Sequence, residues 1–88
     1  MKYMGIDYGS KNVGIAISDE DGSMAFPHDT LLNTSVLIDD ILLKIRNERV
    51  NSVVIGESKD FKGNENPIMK RVHVFKEKLE EHGVPVYF

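Results

Sequence analysis

Asp7 sits in the run Gly5-Ile6-Asp7-Tyr8-Gly9-Ser10-Lys11-Asn12-Val13-Gly14, where an apolar segment gives way to glycine, serine and asparagine. This puts a carboxylate at a strand end, beside glycines that let a backbone or a phosphate come close. Two chemistries use such a site. In one, Asp7 helps hold one or two magnesium ions that activate water and stabilise the leaving oxygen of a phosphodiester. In the other, the Gly9-Ser10-Lys11 turn cradles a nucleotide phosphate through its N–H groups while Asp7 positions the metal. The same spacing also suits a plain hairpin whose aspartate accepts hydrogen bonds from turn amides.

The elements that must position Asp7 are legible from pattern. Lys2 to Asp7 reads as a short strand, and the Tyr8 to Asn12 turn leads into a second strand over Val13 to Ser18. The Asp21-Gly22 pair in the next loop favours a tight reversal. Met24 to Leu32 is a third strand interrupted by Pro27, and proline confines it to a sheet edge or to a start after residue 27. Leu37, Ile38, Ile41, Leu42 and Ile45 recur at helical spacing, which predicts an amphipathic helix over Val36 to Arg49. Asn33, Thr34 and Ser35 are its candidate N-caps, and Asp39, Asp40, Arg46 and Arg49 suit the two ends of its dipole.

Ser52-Val53-Val54-Ile55-Gly56 has the pattern of a strand buried on both faces of a parallel sheet, and a loop over Glu57 to Glu65 follows. Asn66 as N-cap, Pro67 at the first helical position and Gly83 past the end punctuate a second helix, whose stripe is Ile68, Val72, Phe75 and Leu79. Val84 to Phe88 reads as a last strand, cut off where a functional loop would be expected. A three-stranded antiparallel meander followed by helix, strand, helix, strand implies an α/β fold with a mixed sheet and right-handed crossovers.

With 88 residues the chain is a single domain with a modest core. The absence of cysteine excludes disulfides, a thiol nucleophile and a thiolate zinc site. Neither an export signal nor a membrane span is read, so a cytoplasmic setting is expected. The net charge of −3 argues against binding nucleic acid through phosphates alone, although cations held by carboxylates reverse the local field.

The block Met4 to Asp19, then Val53-Val54-Ile55-Gly56, and then a loop with Gly63 and Pro67 before a helix together resemble the YqgF/RuvX family of RNase H-like proteins. That family is associated with Holliday junction resolution and pre-16S rRNA processing. The resemblance covers essentially the whole chain. It implies an RNase H-like fold, a nuclease acting on branched DNA or structured RNA, and Mg2+ or Mn2+ as cofactor. Asp7 would then be the first catalytic acid and a metal ligand.

Two departures accompany the resemblance. The family's usual hydrophobic residue and proline after Gly56 are replaced by Glu57 and Ser58. Ligands of parallel sheets bind beyond the carboxyl ends of the strands, so Glu57 is expected to face Asp7 as the second catalytic acid and metal ligand. An exposed loop glutamate is the simpler reading. The family's acidic-arginine motif and C-terminal helix with a further aspartate are also missing, so a C-terminally truncated member with an incomplete site is expected.

Lys11, Asn12, Lys59 and Lys62 are candidates for substrate phosphates, each against the default of a solvated loop residue. His28, His73 and His82 receive no role, and Ser10 and Ser18 have no evident base. The aromatic residues read as core or strand-face groups, with base stacking open to Phe61. Two other functions compete. One is a non-catalytic binding or oligomerising domain, with a homodimer formed through the exposed last strand. The other is a fragment of an actin-like ATPase, which shares the Asp-x-Gly-[Ser/Thr] turn.

Overall fold

The computed structural model describes residues 1–56 and 67–88. Five strands and two helices follow in the order β1 (Tyr3–Tyr8), β2 (Asn12–Ser18), β3 (Ala25–Leu32), α1 (Leu37–Glu48), β4 (Ser52–Ile55), α2 (Met69–Glu81) and β5 (Val86–Tyr87). The strands form one sheet in the order β3-β2-β1-β4-β5. β1 is central, antiparallel to β2 and parallel to β4.

This order decides where the helices go. β3 runs parallel to β1, so the crossovers from β3 to β4 and from β4 to β5 join parallel strands and travel the same way across the sheet. Right-handed connections then place both helices on one face. The core agrees. Met4 and Ile6 of β1, Val13, Ile15 and Ile17 of β2, and Val53 and Ile55 of β4 are buried against Leu37 and Ile41 of α1 and Met69, Val72, Phe75 and Leu79 of α2. The expected stripe of α1 packs as predicted, with Ile38, Leu42 and Ile45 flanking the two buried residues. Successive strand residues point to opposite faces, so Gly5, Asp7, Gly14, Ala16 and Val54 fall on the other side.

That second face carries no helix among the described residues, which corrects the expectation for β4. Val54 is 39% exposed, so β4 is covered on one face only. The alternation was hidden because valine occupies both the covered and the open position.

Pro27 lies in the edge strand β3, as expected. It sits beside a register shift in which Ile15 pairs with Asp29 and Ala16 with Pro27, leaving His28 as the extra residue. Contacts with α1 hold this edge: an ion pair with Lys44 Nζ 2.9 Å from Asp29, and His28 Nε2 3.7 Å from Glu48. At the start of β1, the Lys2 N–H donates to Asn51 Oδ1 and the Asn51 N–H to the Lys2 carbonyl, both at 2.8 Å, which fixes its register with β4.

The start of α1 differs from expectation. Val36 occupies the N-cap position and no side chain caps the helix. The Leu37 N–H donates to the Thr34 carbonyl at 3.1 Å, and Asn33 is used elsewhere. α1 ends on Arg49 in the left-handed conformation, and α2 is followed by Gly83 at φ 81°. Asn66 lies outside the described residues, and the first turn of α2 is built on the Pro67 and Ile68 carbonyls.

Among the described residues one buried side-chain polar atom has no partner: Ser52 Oγ, on a residue 2% exposed. An unsatisfied buried hydroxyl costs about 1–3 kcal/mol, so Ser52→Ala is expected to raise stability by about 1 kcal/mol in urea unfolding. A loss instead would reveal a partner for the hydroxyl. The Lys44 ammonium holds the Asp29 carboxyl below its ordinary value. The unfolded chain therefore takes up this proton first, and the ion pair stabilises fully above about pH 4 and fades as the pH falls through the lower folded value. Asp29→Asn is expected to lower the urea midpoint at neutral pH, and the gap to the wild type should close as the pH drops below about 4.

Candidate functional site

The alternation of β1 places Asp7 on the open face, near the carboxyl end of the central strand. In the ladder it sits opposite Gly14 of β2. On the other side the Gly56 N–H donates to the Ile6 carbonyl at 3.1 Å, so β4 ends beside Asp7. Gly5, Asp7, Gly14, Ala16, Val54 and Gly56 line a shallow cleft of about 400 Å³. Its floor is shallow because the side chains around the aspartate are small. A Cβ on Gly14 would stand 3.6 Å from the Asp7 Cβ, an ordinary contact, so Gly14 widens the cleft without being sterically required.

The turn after Asp7 is tightly specified. A Cβ on Gly9 would collide with the Asn12 carbonyl oxygen, so this glycine serves a close approach of backbone to backbone. Asn33 braces the turn from below α1. Its side-chain amide donates to the Gly9 carbonyl and its backbone N–H to the Lys11 carbonyl, both at 2.8 Å. Sequence reasoning assigned Asn33 to a helix cap, since a contact spanning 24 residues leaves no local signal. Lys11 and Asn12 are exposed in this turn, at the same end of β1 as Asp7. Glu57, Lys59 and Lys62 lie outside the described residues, as does Phe61.

The histidines stand apart. His28 faces Glu48, the His73 ring meets Phe88 edge-on, and His82 Nδ1 lies 2.8 Å from the Lys78 carbonyl. Ser18 Oγ accepts the Tyr3 N–H at 2.7 Å and donates to the Asp19 carbonyl at 2.8 Å, which is a structural role. Asp19 organises the loop before β3. Although partial desolvation opposes it, hydrogen bonds from Ser23, Met24 and Gly22 hold its carboxyl below the ordinary value.

The donor set around Asp7 can be matched against a divalent cation. Its carboxylate is exposed and makes no hydrogen bond or ion pair with the described residues. Both oxygens therefore remain for a ligand. Among the described residues no three of His, Asp and Glu gather around one point. A single carboxylate in an open cleft fits magnesium, which keeps several waters and binds through one or two carboxylates plus substrate phosphate oxygens.

The family model described as "RuvX: Holliday junction resolvase" matches residues 1–88. A protein of Nitratidesulfovibrio vulgaris (strain DSM 19637 / Miyazaki F), named "Putative pre-16S rRNA nuclease", is 38% identical over 99% of this chain and 63% of its own length. A protein of the same name from Oleidesulfovibrio alaskensis is 37% identical over 99% of this chain and 62% of its own. The chain thus spans about three-fifths of the length of these curated relatives. Among solved structures, "Thermus thermophilus RuvC structure" superimposes with a TM-score of 0.63 at 18% identity, covering 100% of this chain and 63% of that one. At that identity the likeness establishes the fold, which is RuvC-like within the RNase H-like group.

Gly9→Ala tests the turn. The collision with the Asn12 carbonyl is expected to cost about 1–3 kcal/mol in urea unfolding. Amide NMR shifts should change at Lys11 and Asn33 and stay in place in α2. An unchanged midpoint would show that the turn relaxes freely.

Proposed function

This chain belongs to the RuvX family, and on that premise we propose that it forms the sheet and first two helices of a divalent-cation-dependent nuclease that hydrolyses phosphodiester bonds in structured nucleic acid. The observation that carries this reading is the exposed Asp7 carboxylate in a glycine-lined cleft at the carboxyl end of the central strand, beside the end of β4. Substrates of open α/β sheets lie in this position.

In this reading Asp7 contributes a ligand to Mg2+ or Mn2+. Glu57 is the candidate second carboxylate because it follows Gly56, whose N–H is bonded to β1. A divalent cation bound there supplies Lewis-acid stabilisation of the charge that develops on the phosphate oxygens. The chain's own part is positional. Gly5, Gly14 and Gly56 let a phosphate approach the aspartate, and the braced turn holds Lys11 and Asn12 where a flanking phosphate passes. Lys59 and Lys62 are the further candidates for phosphate contacts. Hydrolysis joins a water oxygen to phosphorus and breaks the bond to one sugar oxygen, which leaves protonated.

The names of the relatives favour structured RNA, and the family description favours branched DNA. A cytoplasmic location and a homodimer through the edge at β5 fit this activity and belong to the same proposal. Among the described residues, no helix is long and apolar enough to cross a membrane. A second reading, a domain that binds nucleic acid without cutting it, draws support from the single carboxylate found at the site among the described residues.

Calorimetric titration with Mn2+ and cleavage assays on a four-way DNA junction and a structured RNA separate these readings. Asp7→Asn is expected to abolish the binding heat and to lower any cleavage by about 100-fold or more, with the melting temperature retained because the side chain is exposed and bonds to none of the described residues. Glu57→Gln should weaken both. Metal binding and cleavage that survive unchanged in both variants would sink the nuclease reading, and nucleic-acid binding without any cleavage would favour the second.

A further inference from the structure

On the helical side of the sheet, opposite the Asp7 cleft, a second cleft of about 400 Å³ opens between the start of α1 and the length of α2. It lies at the same end of β1, because Tyr8, the residue after Asp7, points into it. The floor is apolar and aromatic: Leu37, Ile38 and Phe75, with the Tyr8 ring 5.0 Å from that of Phe75. The α2 wall is basic. Lys70, Arg71, Val74 and Lys78 follow helical spacing along one face, and the Arg71 guanidinium stands 5.9 Å from the centre of the Tyr8 ring. The opposite wall presents Asn33, Thr34 and Ser35 ahead of a helix that no side chain caps.

The charge pattern points to a ligand. Among the described residues no carboxylate lines this cleft, although the chain as a whole carries a net charge of −3. Three lysines elsewhere are paired within the fold: Lys2 with Glu48, Lys44 with Asp29 and Lys76 with Glu80. Lys70, Arg71 and Lys78 form no ion pair with the described residues. The cleft beside Lys2 makes the contrast, since Glu20 and Glu48 line it together with Lys2 and Arg49. Three cations gathered in one cleft with no acid among its described lining residues raise the local potential for an anion. The aromatic floor favours one that also carries a flat apolar group. A nucleic-acid strand has both, with phosphates for the cations and bases for the floor.

We propose that the cleft between α1 and α2 is a second nucleic-acid site, in which Lys70, Arg71 and Lys78 take backbone phosphates and Tyr8 packs against a sugar or base. The proposal rests on the nuclease reading of the Asp7 face and deepens it. A strand held here reaches Asp7 by passing over the turn of Gly9 to Asn12, because residues 7 and 8 point to opposite sides of the same strand. Lys11 stands on that route, and Asn33 joins the two sites physically through its bonds to Gly9 and Lys11. These three α2 residues are positioning residues for a substrate cut elsewhere. They anchor a strand by charge and leave the chemistry to the other face.

The test measures fluorescence anisotropy of a labelled RNA hairpin and a labelled four-way DNA junction, in EDTA so that no divalent cation contributes. K70Q/R71Q/K78Q is compared with K2Q/K44Q/K76Q, which removes the same charge outside the cleft. The cleft variant is expected to lose about 10-fold or more in affinity, and its dependence of log K on log salt should flatten by about 2, as for three phosphate contacts on a single strand. The control should lose much less. Wild-type amide NMR shifts on adding the hairpin should move at Ser35, Ile38 and Val74, a readout that does not depend on the variants folding. Preference for one probe names the source of the strand and supports the proposal equally. Equal weakening of both triple variants, or shifts confined to the Asp7 face, would overturn it while the nuclease reading stands. No binding of either probe by the wild type would overturn both.

Discussion

The handedness of two crossovers governs most of what this molecule can do. With β1 in the centre and the chain moving from β3 to β4 and on to β5 in one direction, right-handed connections leave a single solution, with both helices on the same face. Burial therefore concentrates on one side. Met4, Ile6, Val13, Ile15, Val53 and Ile55 serve that layer, and every intervening residue falls on the other side. The open face is the geometric remainder of this constraint, and it is lined by small residues where no described helix packs on it. Asp7 is tolerated there: a carboxylate at position 4 or 6 of the same strand would point into the packed helical layer, where an unpaired charge costs several kcal/mol.

The turn between β1 and β2 converts that topology into a site. Gly9 permits the Asn12 carbonyl to come close, and Asn33 fastens the turn from a point beyond β3. The meander and the first crossover are thus joined where Asp7 emerges. This also explains the lack of a side-chain cap on α1, since the asparagine best placed to supply one spends its amide on Gly9. A local preference yields to a long-range one because two hydrogen bonds to a single turn fix more of the chain than one bond to a helix end.

The edge of the sheet shows the same economy. β3 is nearly all exposed, carries a proline and slips register at His28, features that shield an edge from pairing with another chain. The Lys44–Asp29 ion pair ties it to α1, a modest term at an exposed position. The firm part of the molecule is the β2-β1-β4 centre with the two helices on it. That centre carries Asp7 on one side and Tyr8 on the other.

Much of this was legible without a structure. The periodicity of Leu37 to Ile45 forms the buried stripe of α1, Gly83 ends α2 and Pro27 marks an edge, because each is a local consequence of side-chain shape or a missing N–H. The Gly5 to Gly14 block likewise put Asp7 at a strand end, since a carboxylate between glycines after an apolar run is a local pattern. Three things needed the tertiary structure. Which face Val54 joins was hidden, because valine suits either side and the number of covering helices is set by topology. Asn33's bonds to Gly9 and Lys11 span too many residues to leave a spacing. The grouping of Tyr8 with Lys70, Arg71 and Lys78 joins β1 to α2, and no pattern within either element announces it. Sequence patterns record the periodicity of single elements, whereas faces, braces and clefts depend on how elements from distant parts of the chain are laid against one another.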